Sequence, residues 1–143
     1  MNHKNFKNRS LARCVAFQVL FQEDMNPGFA AEFGETFLGE ELPDQDHDQE
    51  PLRVFARTLV NGTRLHQQEI DDQLTATATN WSISRMACSD RNVLRMAVFE
   101  LRHMDTPHPV VVNEAIELAK AFGTKDSAAF VNGILGKLQK KKD

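Results

Sequence analysis

The sequence lacks the features that would assign it to a membrane, to secretion or to a disulfide scaffold. No apolar run approaches the roughly 20 residues that a membrane-spanning helix needs. The basic N-terminus, MNHKNFKNRSLARC, contains no apolar segment followed by a small-residue cleavage site. Its two cysteines, Cys14 and Cys88, form no metal-ligand pattern. We therefore interpret both as reduced, small core residues of a cytoplasmic protein.

Groups that are typical of enzymes are equally scarce. The sequence contains no glycine-rich phosphate loop, no nucleophile elbow and no Cys/His pairing. The five histidines are scattered, and His66 opens the stretch HQQE without a second histidine one turn later. Because a zinc site needs three or four convergent ligands, we predict no bound metal, no cofactor and no enzymatic activity.

What the 143 residues do contain is the composition of one globular domain, with 41% hydrophobic and 26% charged residues. The net charge of −3 hides an asymmetry. Residues 1–13 include four basic residues and no acid, whereas residues 14–50 include ten acids and neither lysine nor arginine. Within a single domain over residues 1–143, we predict a flexible basic arm over residues 1–8, an acidic linker over residues 42–50, and a localised anion-binding site.

Helical periodicity runs through nearly the whole chain, and no segment is a convincing strand. Pro27 and Gly28 end the first helix, and a long helix begins at Pro51 with a possible break near Asn61-Gly62. The connector NWSISRMACSD has room for one helical turn. The pattern therefore predicts an all-α fold of about seven helices. Besides the helix from Pro51, its clearest segments are 9–24, 29–41, 90–104, 111–122 and 126–139.

Two glycines near the C-terminus need an explanation. Gly133 follows Asn132, a pair typical of hairpins, but the flanking residues keep the helical period of 3.6. A glycine inside a helix costs about 1 kcal/mol relative to alanine, so we predict that Gly133 allows close contact with a neighbouring helix. Gly123 is predicted to end the preceding helix in a left-handed conformation.

Basic residues at the start of the first helix are the best candidates for binding chemistry. Arg9 and Arg13 are spaced i, i+4, and guanidinium groups bind phosphate well. Phe6, Phe17 and Phe21 interleave with the helix and could stack on an unpaired base. Basic N-termini are also common without function, so the pattern alone leaves nucleic-acid binding open.

A second basic stripe lies on the predicted helix 90–104. Arg91, Arg95 and Arg102 fall in one narrow sector of that helix. Two interpretations stay open at this point: the stripe contacts phosphates, or Arg95 and Arg102 pair with acidic residues such as Glu100, Asp105 or the linker.

Three C-terminal segments resemble the NusB family of transcription antitermination factors. They are DRNVLRMAVFEL (90–101), VNEAIELAKAFG (112–123) and DSAAFVNGILGKL (126–138), and ARCVAFQVLFQ (12–22) is similar to the start of the family. Residues 26–80 match only in helix pattern and length. The resemblance implies an all-helical fold of two small packed bundles. It also implies binding of boxA-type RNA together with NusE, a small-subunit ribosomal protein, so that RNA polymerase reads through terminators, notably on ribosomal RNA operons.

The resemblance also implies which residues make these contacts. Ser10 and Leu11 interrupt a run of arginines that is often tighter in the family, which implies weaker RNA affinity without the partner. Partner contacts to NusE are implied for Asp90 and Phe130, with Asp126 near the junction of RNA and partner. RNA contacts are implied for Lys4, Lys7, Arg9, Arg13 and Phe21.

Two alternatives compete with this hypothesis. NusB-like domains also precede ribosomal RNA cytosine methyltransferases, so the chain could be a stand-alone NusB-like RNA-binding accessory domain, although it contains no Rossmann-type cofactor segment. A protein-interaction scaffold without RNA contact is the third possibility.

Overall fold

The computed structural model of the protein describes residues 6–42 and 50–138. The predicted arm, apart from residues 6–8, and linker residues 43–49 lie outside this range. Within the described ranges the chain forms seven α-helices and short 3-10 turns, with no strand, which confirms the all-α prediction. The helices are α1 (Asn8–Met25), α2 (Ala30–Glu41), α3 (Glu50–Leu65), α4 (Gln67–Thr77), α5 (Cys88–His103), α6 (His108–Phe122) and α7 (Ser127–Lys137).

Local sequence signals explain most helix ends. α1 stops before Pro27, which cannot continue it, and Pro109 lies in the first turn of α6, where its missing N–H is harmless. The break predicted near Asn61-Gly62 is wrong, because both residues lie inside α3. The chain instead breaks at His66, with φ −101° and ψ 14°. Glycine only lowers helix propensity, whereas the His66 ring packs against Phe99, 33 residues further along the chain.

The chain forms two compact units, Met1–Gly62 and Thr63–Asp143. In the first unit α1 packs on α2, and nine consecutive residues of α1, from Ala12 to Leu20, are buried. In the second unit α5, α6 and α7 pack on one another, and α4 packs on α5 and α7. Apolar side chains that are less than 2% exposed include Val15, Phe17 and Leu59 in the first unit, and Ile70, Leu74, Leu94, Leu118 and Leu135 in the second.

The two C-terminal glycines differ from their predictions. Gly123 has φ −99° and ψ −163°, so it is not left-handed. It is required for another reason, since a Cβ there would lie 2.7 Å from the carbonyl oxygen of Ala119 and would also collide with Ser127. Gly133 is exposed, and among the described residues no atom beyond its chain neighbours and its own helix backbone lies within 4 Å of the place a Cβ would take. The predicted close contact of Gly133 with a neighbouring helix is therefore wrong.

Two exclusions made from the sequence concern the state of the cysteines and the presence of a membrane-spanning helix. Neither cysteine forms a disulfide, and Cys14 is fully buried, as expected for a core residue. Burial raises the pKa of the Cys14 thiol to about 12. Cys88 is only half-buried, so it is less of a core residue than predicted. Among the described helices, none combines the length and the hydropathy that spanning a bilayer requires.

Candidate functional site

The start of α1 carries the cations that the sequence singled out. Lys7 is exposed and caps the helix with its carbonyl oxygen, which accepts hydrogen bonds from the backbone N–H groups of Ser10 and Leu11 at 3.0 and 3.3 Å. Arg9 is exposed, and its guanidinium carbon lies 4.7 Å from the centroid of the Phe55 ring. Lys4 lies outside the described residues.

Arg13 has a different environment from Arg9 although it lies one turn away on the same helix. Its guanidinium carbon is 5.1 Å from the same Phe55 ring, but the residue is only 4% exposed. Both arginines therefore place a cation over the Phe55 ring, and such a cation–π contact is favourable by about 1 kcal/mol. The predicted basic cluster is divided: Lys7 and Arg9 reach solvent, and Arg13 is buried.

The aromatic residues of α1 are divided in the same way. Phe17 is fully buried, so the expectation that it offers a stacking face is wrong, because its position on α1 faces the core. Phe21 is half-buried, with its ring tilted by 45° against Phe17 at a centroid distance of 6.0 Å. Phe6, just before the helix, is also half-buried. Phe6 and Phe21 thus keep part of their surface accessible.

The three arginines of the basic stripe on α5 form hydrogen bonds with other residues of the second unit. Arg95 forms a bidentate ion pair with Asp71, with its Nε and Nη2 donating to the two carboxylate oxygens at 2.8 and 2.9 Å. Arg102 donates to Gln73 at 2.9 Å. Arg91 donates to the carbonyl oxygen of Ile83 at 3.2 Å. The pairing interpretation is favoured, but these partners on α4 and in the connector are not the ones predicted.

The three residues implied for partner contact converge on one cleft of the second unit. Asp90 lies at the start of α5, Asp126 precedes α7, and Phe130 lies in the second turn of α7. All three line a cleft of about 320 Å³, together with Trp81, Arg85, Met86 and Thr124. The tight approach of α6 and α7 at Gly123 and Ser127 brings Asp126 to the rim.

The carboxylates of this cleft have unused capacity to accept hydrogen bonds. Asp90 sits in the first turn of α5, where the helix dipole favours a negative charge. Its Oδ1 is buried and has no hydrogen-bond partner within residues 6–42 and 50–138. Asp126 is exposed, and its side chain makes no capping hydrogen bond to α7. Asp126 can therefore accept hydrogen bonds from a donor group in the cleft, such as a guanidinium, an ammonium or a backbone N–H, and the Asp90 carboxylate lies in the same cleft.

An aromatic pair of one exposed and one half-buried ring lies beside these carboxylates, and one of its two members, Trp81, was not predicted from the sequence. Trp81 is 53% exposed, and its ring meets Phe130 edge to face at 6.2 Å and 78°. Both rings also line an adjoining depression of about 270 Å³ that includes the open Gly133. The available signal was the single tryptophan of the chain, placed in a polar connector. Sequence alone could not show that its ring stays at the surface.

A second group that the sequence analysis missed joins α4 to the end of α5. His66 Nδ1 lies 3.4 Å from one oxygen of Glu69, and His103 Nε2 lies 3.2 Å from the other. The two imidazole rings stack with their centroids 3.9 Å apart. Hydrogen bonding to His103, and then to His66, lowers the pKa of Glu69. These three side chains are the described residues that converge in a way that can hold a metal ion.

Two compact helical units, one with a cationic helix start and one with an aromatic, acidic cleft, define a helical binding protein. The chain belongs to the NusB family: the family model of that description matches residues 10–140. This finding confirms the family that the sequence motifs indicated.

Similar proteins of known name agree with this assignment. The chain is 47% identical over 131 residues to the transcription antitermination protein NusB of Geobacter sulfurreducens, covering 91% of this chain and 92% of that protein. It is 43% identical over 144 residues to the NusB protein of Desulforamulus reducens, covering 94% and 92%. These relatives favour antitermination over a methyltransferase accessory role.

Solved structures resemble the fold over nearly its whole length. T. maritima NusB superposes with a TM-score of 0.78 at 36% identity, covering 93% of this chain and 91% of that one. A structure of the antitermination factors NusB and NusE in complex with double-stranded RNA superposes with a TM-score of 0.77 at 28% identity, covering 90% and 92%.

Proposed function

We propose that this protein is a transcription antitermination factor that binds boxA-type RNA together with NusE and joins the antitermination complex of RNA polymerase. In this role it promotes read-through of terminators, notably on ribosomal RNA operons. The proposed role is non-catalytic and cytoplasmic. The observation that carries the proposal is the convergence of Asp90, Asp126 and Phe130, which are distant in sequence, on one accessible cleft.

The proposed RNA-binding surface is the beginning of α1. Lys7 and Arg9 are exposed there and can donate to phosphate oxygens. The Phe55 ring packs against the Arg9 guanidinium, which restricts its motion and reduces the entropy lost on binding. Phe21, three turns further along α1, is the proposed stacking residue for an unpaired base. Lys4 is proposed to extend this surface.

Arg13 is proposed to contribute indirectly. Its burial leaves little surface for a phosphate, but its guanidinium occupies the same Phe55 ring as Arg9. We propose that Arg13 keeps this ring in position beneath Arg9. Replacement of Arg13 would therefore reduce RNA affinity through the position of Arg9, because Arg13 itself binds no phosphate in this arrangement.

The proposed NusE surface is the cleft with its aromatic pair. Trp81 and Phe130 offer two accessible rings, and aromatic residues dominate the binding energy of many interfaces. Asp90 and Asp126 supply acceptors beside them. This combination suits a protein segment that places an apolar side chain against the rings and a cation or backbone N–H at Asp126. The open Gly133 leaves room for a close approach of the partner backbone.

The test is a titration of boxA RNA with and without NusE. We expect the protein alone to bind boxA more weakly than the protein with NusE. Lys7→Ala and Arg9→Ala should each lower RNA affinity and reduce the salt slope by about 0.7 for each phosphate that the variant no longer binds. Unchanged affinity and salt slope in both variants would show that the RNA site does not lie on α1. Equal affinity for boxA and a scrambled RNA, with or without NusE, would contradict the function itself.

The partner surface needs its own variants. Phe130→Ala and Trp81→Ala should each weaken NusE binding by about 2 kcal/mol or more. Because Phe130 is half-buried, its replacement should cost less stability than the roughly 3–5 kcal/mol of a buried phenylalanine. Leu65→Ala is the matched control, since Leu65 is 80% exposed and lies outside the cleft. A large loss of stability in Phe130→Ala, with NusE affinity unchanged in the folded fraction, would show that Phe130 is a core residue and not a partner contact.

A further inference from the structure

We propose that His66, Glu69 and His103 form a binding site for a divalent first-row transition-metal ion such as Zn²⁺. The bound ion would tie the start of α4 to the end of α5. This proposal does not depend on the RNA and partner surfaces, because none of its three residues lines the cleft or belongs to α1.

The donor set has the chemistry that such an ion prefers. Two imidazole nitrogens and one carboxylate lie within 4.8 Å of one another. Zinc, copper and nickel bind imidazole well, whereas Mg²⁺ and Ca²⁺ prefer all-oxygen sites. Two histidines with one glutamate occur as three-ligand zinc sites that leave a further position for water. The three side chains are 28–49% exposed, so an ion and its water ligands can enter from solvent.

The helix geometry explains why these atoms meet. His66 and Glu69 are spaced i, i+3 across the first turn of α4, which places them on one face. His103 is the last residue of α5, and α5 packs on α4. Two further contacts hold the same pair of helices together, the Arg95–Asp71 ion pair and the Arg102–Gln73 hydrogen bond. The metal site would extend this series to the end of α5.

The imidazole rings are positioned before any ion binds. Phe99, which is 5% exposed, stacks with the rings of His66 and His103 at centroid distances of 5.9 and 5.3 Å. The two imidazoles stack on each other at 3.9 Å with an angle of 20°. Packing against a buried phenylalanine restricts both rings, so ligation requires little further ordering.

The contacts within the group leave room for an ion. The nitrogen–oxygen distances of 3.2 and 3.4 Å exceed the roughly 2.7–2.9 Å of a tight charge-assisted hydrogen bond. Donor atoms bonded at about 2.0–2.2 Å to one tetrahedral ion lie roughly 3.3–3.6 Å apart, so the observed separations need only a small rotation of each side chain. Glu69 lies between the two nitrogens, and it supplies the negative charge that a divalent cation needs.

The experiment uses the full chain without an affinity tag, after treatment with a chelator and removal of that chelator. Zn²⁺ is titrated by calorimetry, and Co²⁺ is used as a spectroscopic probe of ligation by nitrogen and oxygen. We expect one ion per chain and a higher melting temperature in its presence, since an ion that binds the folded state stabilises it. Mg²⁺ should produce neither effect.

Variants separate this site from other metal-binding groups. Glu69→Gln and His103→Gln should each weaken Zn²⁺ binding by more than about tenfold and remove the Co²⁺ visible bands. Glu117→Gln is the matched carboxylate control because Glu117 is exposed on α6, and His47→Gln is a histidine control. Circular dichroism shows whether each variant folds. No bound ion in the native chain, or unchanged Zn²⁺ affinity in folded His103→Gln or Glu69→Gln, would overturn the proposal.

Discussion

The two compact units place their ionisable side chains differently, although both are built from amphipathic helices. In the first unit Arg9 lies exposed over Phe55, and Arg57 makes ion pairs with Glu35 and Glu50 at 3.3 and 3.8 Å, with its own side chain 38% exposed. In the second unit Arg95 is 7% exposed and binds Asp71 through two hydrogen bonds.

The difference shows that similar basic patterns on two helices can have opposite roles. Lys7, Arg9 and Arg57 of the first unit keep contact with solvent, where ion pairs contribute little to stability and a phosphate can still be bound. The arginines of α5 connect it to α4, so they contribute to the fold. Residue type and helical spacing are alike in the two cases. The partner side chains decide the role, and they come from other helices.

The largest difference between the two units is expected in cysteine reactivity, since each unit contains one cysteine. Burial raises the pKa of the Cys14 thiol to about 12, so very little of it is thiolate at neutral pH. Cys88 is half-buried. We expect iodoacetamide to modify Cys88 in the native protein well before Cys14, as measured by mass spectrometry of the peptides. Both should react at similar rates in denaturant, and similar rates in the native state would contradict the burial of Cys14.

The largest stability effect is expected in the second unit. Arg95→Ala leaves Asp71 without its bidentate partner in a largely buried position, so it should lower the free energy of unfolding by about 3 kcal/mol. Denaturant unfolding measures this loss, and Asp71→Asn should reproduce much of it. RNA affinity of the folded variant should stay unchanged. An Arg95→Ala variant of native stability with weakened boxA binding would make α5 an RNA surface and remove the contrast between the units.

A smaller effect separates the two arginines of α1. Arg13→Ala removes a buried side chain and its contact with Phe55, and it should cost about 1–2 kcal/mol of stability. Arg9→Ala changes an exposed residue and should cost less than about 0.5 kcal/mol. Thermal unfolding of both variants, combined with RNA titration, tests whether Arg13 contributes to stability while Arg9 contributes to RNA binding. If Arg9→Ala is the less stable variant, then its contact with Phe55 is a structural one.

The smallest effect is expected at Arg57. Its ion pairs with Glu35 and Glu50 are exposed, so Arg57→Ala should change stability by less than about 1 kcal/mol at low salt. The difference from the native protein should shrink further in high salt, because salt screens exposed charges. Unfolding curves at two salt concentrations measure this. A loss equal to that of Arg95→Ala would show that the first unit depends on its ion pairs as the second unit does.

Helix positions were largely predictable because their signals are local. The predicted segment 9–24 corresponds to Asn8–Met25, and 90–104 corresponds to Cys88–His103. The separate start of α4 at His66 was not predictable, since it depends on the packing of that ring with Phe99 and His103. The orientation of Gly133 toward open space was equally hidden, because the period of a helix does not show which sector lacks a neighbour.

The residues of the candidate site were also predictable from the sequence only in part. Resemblance to the family indicated Asp90, Asp126 and Phe130, and the structure brings these three together on one cleft. Trp81 was missed because its exposure depends on how the connector before α5 packs. The group of His66, Glu69 and His103 was missed because no second histidine lies one helical turn from His66, and the histidine that completes the group comes from α5.

Periodicity, motifs and composition were enough to establish the helical class, the family and the concentration of cations at the start of α1. These properties are written in the linear order of the residues. The exposure of Arg9, the burial of Arg13 and the pairing of Arg95 with Asp71 were settled by the packing of the helices. The physical reason is that burial, pairing and convergence depend on atoms from separate helices, whose proximity is created by packing of the core.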